Sequence, residues 1–96
     1  MLWKSTDEKL KELSFVKVSE DQYGAYYEKY HAKYGYTQVL AITHKSSGKH
    51  LIHSYEKELN KSGLNNSIGL SLYEAKLALR KARELGYKIN RRLSLK

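Results

Sequence analysis

The sequence predicts an α+β domain with a small antiparallel sheet of three strands and helices packed mainly on one face of it. Three observations indicate this class. Serine-led capping boxes precede two amphipathic segments, two β-rich runs flank a glycine-containing turn, and glycine stands where helical patterns stop. The 96 residues leave room for one hydrophobic core, so a single domain is predicted over 1–96.

The chain is predicted to begin with a short helix followed by a strand. Ser5 and Glu8 have the spacing of a capping box, and acidic residues follow where the helix dipole favours them, so a helix is predicted over 6–13. The next residues alternate apolar and polar side chains and are rich in β-formers. That alternation predicts a strand over 14–18.

The following segment is rich in tyrosine and fits two descriptions. A helix over 20–34 would be capped by Ser19, would end at a left-handed Gly35, and would place its tyrosines on one face. A strand would divide the tyrosines between two faces, in agreement with tyrosine's β preference and with Gly24. The shared face and the two caps favour the helix, which we predict. The tyrosines are Tyr23, Tyr26, Tyr27, Tyr30 and Tyr34.

Residues 36–44 and 50–55 are predicted to be the two strands of a β-hairpin. The intervening sequence, 45–49, is Lys-Ser-Ser-Gly-Lys, and its glycine suits the left-handed position of a bulged type I turn. In the register that this turn sets, His44 faces His50.

The rest of the chain is predicted to be a long polar segment and a third helix. Residues 56–70 are rich in Asn, Ser and Gly, which indicates a loop with a helical turn at its start, and its length makes it a candidate functional loop. Ser71 and Glu74 form a second capping box, and Gly86 is expected to end a helix over 71–85. The predicted buried face of this helix consists of Leu72, Ala75, Ala78, Leu79, Ala82 and Leu85.

Positive charge is concentrated in the later part of the chain. The net charge is +8; residues 1–28 hold four lysines and six acids, whereas residues 29–96 hold fourteen Lys/Arg and four acids. A basic protein is attracted to polyanions because neutralising phosphates releases counterions. A charge that only keeps a small protein in solution would give the same composition.

Other classes of protein are not indicated by the sequence. Cysteine is absent, which excludes disulfides and thiolate metal sites. No apolar run has the length of a signal peptide core or of a membrane span, so a cytoplasmic protein is expected. Paired carboxylates, a Ser/His/Asp arrangement and a phosphate-cradling glycine loop are not apparent, and no cofactor is predicted.

Basic residues at helical spacing form the candidate binding surface. Lys76, Arg80 and Arg83 are spaced i, i+4, i+7, with a tyrosine at the edge of the stripe. A basic tail over 87–96 and the hairpin tip add further cations. A solvated helix face would explain the stripe alone, but stripe and tail together predict contacts to nucleic-acid phosphates. The predicted residues are Lys76, Arg80, Arg83, Lys88, Arg91, Arg92, Lys45, Lys49 and Tyr73.

The tyrosines have three interpretations: a core face, a platform for stacking on bases, or anchors of a protein interface. Tyr23 and Tyr34 are expected to be the exposed ones. Under the third interpretation the protein would be a regulator or inhibitor of the kind that phages and mobile elements encode, with an acidic partner.

The histidine pair of the hairpin has a weaker functional interpretation. His44 and His50 could act as acid and base in a small basic ribonuclease. No metal site is predicted, because two imidazoles need further ligands and Glu56 and Glu58 are remote.

The hairpin followed by a helix that opens with Ser71, Glu74, Ala75, Lys76 and Ala78 resembles the end of double-stranded-RNA-binding domains and of integrase arm domains. The loop before the helix and the predicted tyrosine helix depart from those folds, so no family is assigned. The sequence as a whole predicts a non-enzymatic nucleic-acid-binding protein, DNA or RNA, with mostly backbone contacts. A homodimer is compatible with it.

Overall fold

The computed structural model describes the backbone of residues 4–45, 49–63 and 66–94, and the side chains of the same residues up to Gly86. It confirms the α+β class. The sheet, however, has four antiparallel strands in the order β1-β2-β3-β4, one more than the sequence predicted. The elements are α1 (Thr6–Glu12), β1 (Val16–Asp21), β2 (Gly24–His31), β3 (Tyr36–His44), β4 (His50–Glu56), α2 (Lys57–Lys61) and α3 (Leu72–Ser94).

The first helix and its capping box are confirmed. Glu8 donates its backbone N–H to the hydroxyl of Ser5, and the Ser5 backbone N–H donates to the Glu8 carboxylate, each over 3.1 Å. The predicted strand 14–18 lies too early, because Ser14 takes a left-handed conformation with φ 72° and belongs to the end of the helix. Phe15 is buried there, and the strand follows it.

The predicted helix over 20–34 is wrong, because this segment is the β1–β2 hairpin. The carboxylate of Asp21 accepts hydrogen bonds from the backbone N–H groups of Tyr23 (2.8 Å) and Gly24 (3.1 Å), which stabilises a tight turn. A Cβ on Gly24 would lie 2.9 Å from the Ile42 carbonyl oxygen, so glycine permits a close approach of β2 to β3. Gly35 does have the expected positive φ, 70°, but it serves the β2–β3 turn.

The second hairpin is confirmed in its position and its register. Strands β3 and β4 pair with His44 opposite His50 and Ile42 opposite Ile52. The Lys45 backbone N–H donates to the Lys49 carbonyl over 2.9 Å. The turn residues 46–48, including the predicted left-handed glycine, lie outside the described residues.

The segment predicted as a loop contains a short helix and a short contact with the sheet. Helix α2 is capped by the Glu56 carboxylate, which accepts from the Leu59 N–H over 2.6 Å. Further along, Ser67 pairs with Tyr55, and the Ile68 N–H donates to the Ser54 carbonyl over 2.8 Å. The segment therefore returns to the free edge of β4, the last strand of the sheet.

The last helix begins as predicted but neither ends nor packs as predicted. Ser71 and Glu74 form the expected reciprocal hydrogen bonds of 2.7 and 3.1 Å. The helix continues past Gly86 to Ser94. Two residues of its predicted buried face are instead exposed, Leu72 at 74% and Leu79 at 43%. The buried residues in its described part are Leu77, Ala78, Lys81, Ala82, Leu85 and Gly86.

The core forms where α1 and α3 meet alternate residues of the sheet. Leu10 and Phe15 contribute from the first part of the chain, and Leu77, Ala78, Ala82 and Leu85 contribute from α3. Their partners on the strands are Ala25, Tyr27, Leu40 and Ile42. Because strand side chains alternate between faces, Tyr26 and Tyr30 project from the reverse of the sheet.

Candidate nucleic-acid interface

The candidate site is built on the outward face of α3. At ~100° per residue, Lys76, Arg80 and Arg83 fall within an arc of about 60°, and they extend over about 10 Å of the helix axis. All three side chains are exposed. We call these three residues the basic stripe.

The basic stripe is only partly neutralised by carboxylates. Nε of Arg80 lies 3.6 Å from the Glu84 carboxylate, which also accepts a 2.6 Å hydrogen bond from Thr6. Within the described residues, no carboxylate lies within 4.0 Å of Lys76 or Arg83. Two of the three cations are therefore available to an external anion.

The fourth cation of this part of α3, Lys81, faces inward and was not singled out from the sequence. Lys81 is 5% exposed, and its ammonium lies 3.2 Å from Asp7 and 2.6 Å from Glu20. Lys17 joins the same cluster at 2.9 Å from Asp7. The Tyr27 hydroxyl donates to Asp7 over 2.5 Å. We call these residues the ionic cluster.

The pKa values of the cluster follow from these contacts. Burial would raise the pKa of the Asp7 carboxyl, but hydrogen bonds from Tyr27 and Lys17 and the charge of Lys81 lower it to about 2. Burial and the bond to Asp7 raise the pKa of Tyr27 well above its usual value. Asp7 is thus a carboxylate at neutral pH while the Tyr27 hydroxyl keeps its proton, and the contacts of Lys81 with Asp7 and Glu20 tie α3 to α1 and β1. These contacts stabilise the orientation of the helix that carries the basic stripe.

Three further predicted residues lie beside the stripe or near its far end. Tyr73 is half exposed and lies one helical turn before Lys76. Lys45 and Lys49 are exposed at the end of the hairpin, whose histidine rings pack against α3 at Gly86. The hairpin end therefore lies beside the turn of α3 that follows Arg83.

The remaining predicted cations, Lys88, Arg91 and Arg92, lie on the last turns of α3. Their backbone is helical, whereas a basic tail was expected after Gly86. Their side chains lie outside the described residues. The helix from Lys76 to Arg92 is about 24 Å long at 1.5 Å per residue.

Most of the tyrosines do not share a side with the basic stripe. Tyr27 is fully buried in the core, whereas Tyr23, Tyr26, Tyr30 and Tyr34 are all exposed, more than the two expected. Tyr26 and Tyr30 lie with the exposed Val16 on the reverse of the sheet from α3. We call these last three residues the tyrosine face.

His44 and His50 form an imidazole pair, in which the Nδ1 atom of each ring faces the other ring. The two Nδ1 atoms are 2.9 Å apart, and His44 is 4% exposed. Burial and the neighbouring His50 lower the pKa of His44. The roles of His44 and His50 as acid and base of a ribonuclease stay a prediction.

No known protein family, curated protein or solved structure shows significant similarity to this chain. Within the described residues, none of the helices combines the length and the apolar character needed to cross a membrane.

Proposed function

We propose that the protein binds nucleic acid without acting as an enzyme, and that the basic stripe contacts phosphates. The single observation that supports this is the outward position of Lys76 and Arg83, both exposed and without a carboxylate partner among the described residues. Arginine and lysine side chains at helical spacing can follow a phosphodiester backbone. Arg80, Lys45 and Lys49 extend this positive surface, and the last turns of α3 continue it in sequence.

Binding of this kind is expected to be sequence-tolerant. The exposed tyrosines of the tyrosine face project from the reverse of the sheet, so they cannot stack on bases of a nucleic acid that lies along α3. Tyr73 is the aromatic residue that lies beside the stripe. Phosphate contacts therefore carry the affinity, and they hold little sequence information.

The proposal predicts a strong dependence on salt. Fluorescence anisotropy with a labelled duplex should show that tripling the salt from a low starting concentration weakens binding about tenfold or more. The double variant Lys76→Gln, Arg83→Gln should bind more weakly and lower the slope of log K against log salt by about 2.

The matched control removes two exposed lysines away from α3. Lys33→Gln, Lys61→Gln changes the net charge by the same amount, and both side chains lie outside the basic stripe. This control should retain most of the affinity. The proposal is wrong if wild type does not bind at low salt, or if the two double variants lose affinity equally.

A second candidate function is recognition of a protein through the tyrosine face. The observation that favours it is the exposure of Val16 (61%) and Tyr30 (64%) on one side of the sheet. Exposed aromatic and apolar residues are typical anchors of protein interfaces. Tyr23 and Tyr34, at the two ends of β2, would lie at the edges of such an interface.

The two candidates can be separated with variants on opposite sides of the molecule. A pull-down from nuclease-treated lysate should recover one stoichiometric protein if the second candidate holds, and Val16→Thr, Tyr30→Thr should abolish that recovery. The same variant should leave binding to a duplex unchanged. Loss of duplex binding in this variant would contradict the assignment of nucleic acid to α3.

A further inference from the structure

The imidazole pair has a geometry that neither proposed function uses. Strand pairing places His44 directly opposite His50, and their ring centroids are 4.3 Å apart with an interplanar angle of 54°. The Nδ1 atoms face each other at 2.9 Å. In this hydrogen bond one neutral ring donates its Nδ1–H to the lone pair of the other.

Helix α3 fixes the position of both rings. A Cβ placed on Gly86 would overlap Cε1 of His50 and would lie 3.3 Å from Cε1 of His44. Glycine at this point of a helix lowers helix stability, so its presence is explained by the room that the two rings require. The pair therefore lies between the β3–β4 hairpin and α3, and His50 is exposed to solvent.

The spacing of the two Nδ1 atoms is set by their hydrogen bond, and it is also a distance that one metal ion can bridge. With metal–nitrogen bonds of about 2.0–2.1 Å, an N···N separation near 2.9 Å corresponds to an angle at the metal of about 90°. A tetrahedral ion would need the two nitrogens about 3.3 Å apart. An angle near 90° is the cis angle of square-planar or tetragonal Cu²⁺ and Ni²⁺, and imidazole is a good ligand for both.

We propose that His44 and His50 form a two-imidazole site for a divalent ion of tetragonal preference, with Cu²⁺ bound most tightly. Each ring would coordinate through Nδ1 and carry its proton on Nε2, so binding requires one ring to change tautomer and no net loss of a proton from the neutral pair. Among the described residues there is no cluster of three or more metal-ligating side chains, so water supplies the other positions.

The test is a titration of tag-free protein at neutral pH with Cu²⁺, Ni²⁺ and Zn²⁺, followed by calorimetry and by the Cu²⁺ electron paramagnetic resonance spectrum. We expect one equivalent to bind, in the affinity order Cu²⁺ above Ni²⁺ and Zn²⁺. The spectrum should show a tetragonal ion with two nitrogen ligands.

Two variants on the same strand provide the comparison. His50→Gln keeps a hydrogen-bonding side chain beside His44 but removes one ligand, and it should weaken Cu²⁺ binding at least about tenfold. His53→Gln removes an exposed histidine from the other face of β4 and should bind as wild type does. Circular dichroism verifies that both variants are folded.

Three results would overturn the proposal. They are the absence of stoichiometric Cu²⁺ binding by wild type, equal binding by wild type and His50→Gln, and equal weakening in both variants. The second result would place the ion at another group, such as the amino terminus. The third would indicate weak binding distributed over surface histidines.

Discussion

The two faces of α3 carry the same kinds of residue but differ in what surrounds them. On the inner face, Leu77 is buried in the core and Lys81 is enclosed by carboxylates from α1 and β1. On the outer face, Leu79 and Lys76 are exposed. The two leucines are two positions apart in the sequence, and the two lysines are five apart. The helical rotation between them decides whether a side chain stabilises the fold or meets solvent.

This contrast limits what the number of cations can indicate about binding. Lys81 contributes a positive charge to the composition, but Asp7 and Glu20 neutralise it within the fold. Lys76 and Arg83 have no such partner among the described residues. The surface available to a phosphate is therefore smaller than the net charge suggests, and it depends on the orientation of α3.

The largest effect on stability is expected when Leu77 is truncated, with Leu79 as its comparison on the outer face. Leu77→Ala should lower the free energy of unfolding by about 2–5 kcal/mol, because it removes a buried side chain and leaves a cavity. Leu79→Ala should lower it by about 1 kcal/mol or less, since its side chain is already 43% exposed. Urea unfolding followed by circular dichroism measures both. The reverse order would mean that the apolar face predicted from the sequence is the buried one.

The comparison of the two lysines should give the next largest effect. Lys81→Met should lower the free energy of unfolding by about 2–3 kcal/mol, because Asp7 and Glu20 would keep their charges without the ammonium between them. Both carboxylates are partly exposed and Lys17 remains, so a larger loss is not expected. Lys76→Met should change it by about 0.5 kcal/mol at most. Equal losses in the two variants would contradict the inward position of Lys81.

Gly86→Ala tests the contact between α3 and the imidazole pair. Alanine is the better helix former by about 1 kcal/mol, but its methyl group would overlap the His50 ring. We expect a net loss of about 1 kcal/mol in the free energy of unfolding. In the His50→Ala background only the 3.3 Å contact with Cε1 of His44 remains, so the same substitution should cost less, as a double-mutant cycle would reveal. Stabilisation in the wild-type background would contradict the close contact.

The smallest effect is expected when the pH is lowered. It tests the surroundings of His44, which belongs to the imidazole pair that contacts α3. Because the pKa of His44 is lowered in the folded protein, the unfolded chain binds that proton more readily. Stability should therefore fall as the pH decreases through the usual histidine value of 6.5 toward the folded pKa. Urea midpoints at several pH values, compared between wild type and His44→Gln, measure the contribution. A pH profile unchanged by this substitution would contradict it.

Much of the fold was predictable because its signals are local. Both capping boxes depend on residues three apart, and the second hairpin depends on a short turn between two β-rich runs. The outward position of the basic stripe also follows from spacing along one helix. None of these features requires knowledge of a distant part of the chain.

The tyrosine segment could not be assigned in this way, because its local signals conflicted. Periodicity and caps favoured a helix, but β2 gains its stability from pairing with β3 over its whole length, from Gly24 to His31. That pairing partner lies outside any local window. Gly24 was the sequence's indication of a strand, but the reason for it, the close approach to the Ile42 carbonyl, is visible only once β3 is in place.

The amino-acid sequence by itself determined where α1 and α3 begin, where one hairpin turns, and that cations recur on a single helical stripe, since neighbouring residues set these features. Only the tertiary structure decided that the tyrosines lie on a strand, that Lys81 is inside and Leu79 outside, and that two histidines share a proton beside a glycine. These outcomes depend on contacts between residues far apart in the chain, such as Asp7 with Lys81 and His50 with Gly86. Their energies appear only when the sheet and the helices have packed together.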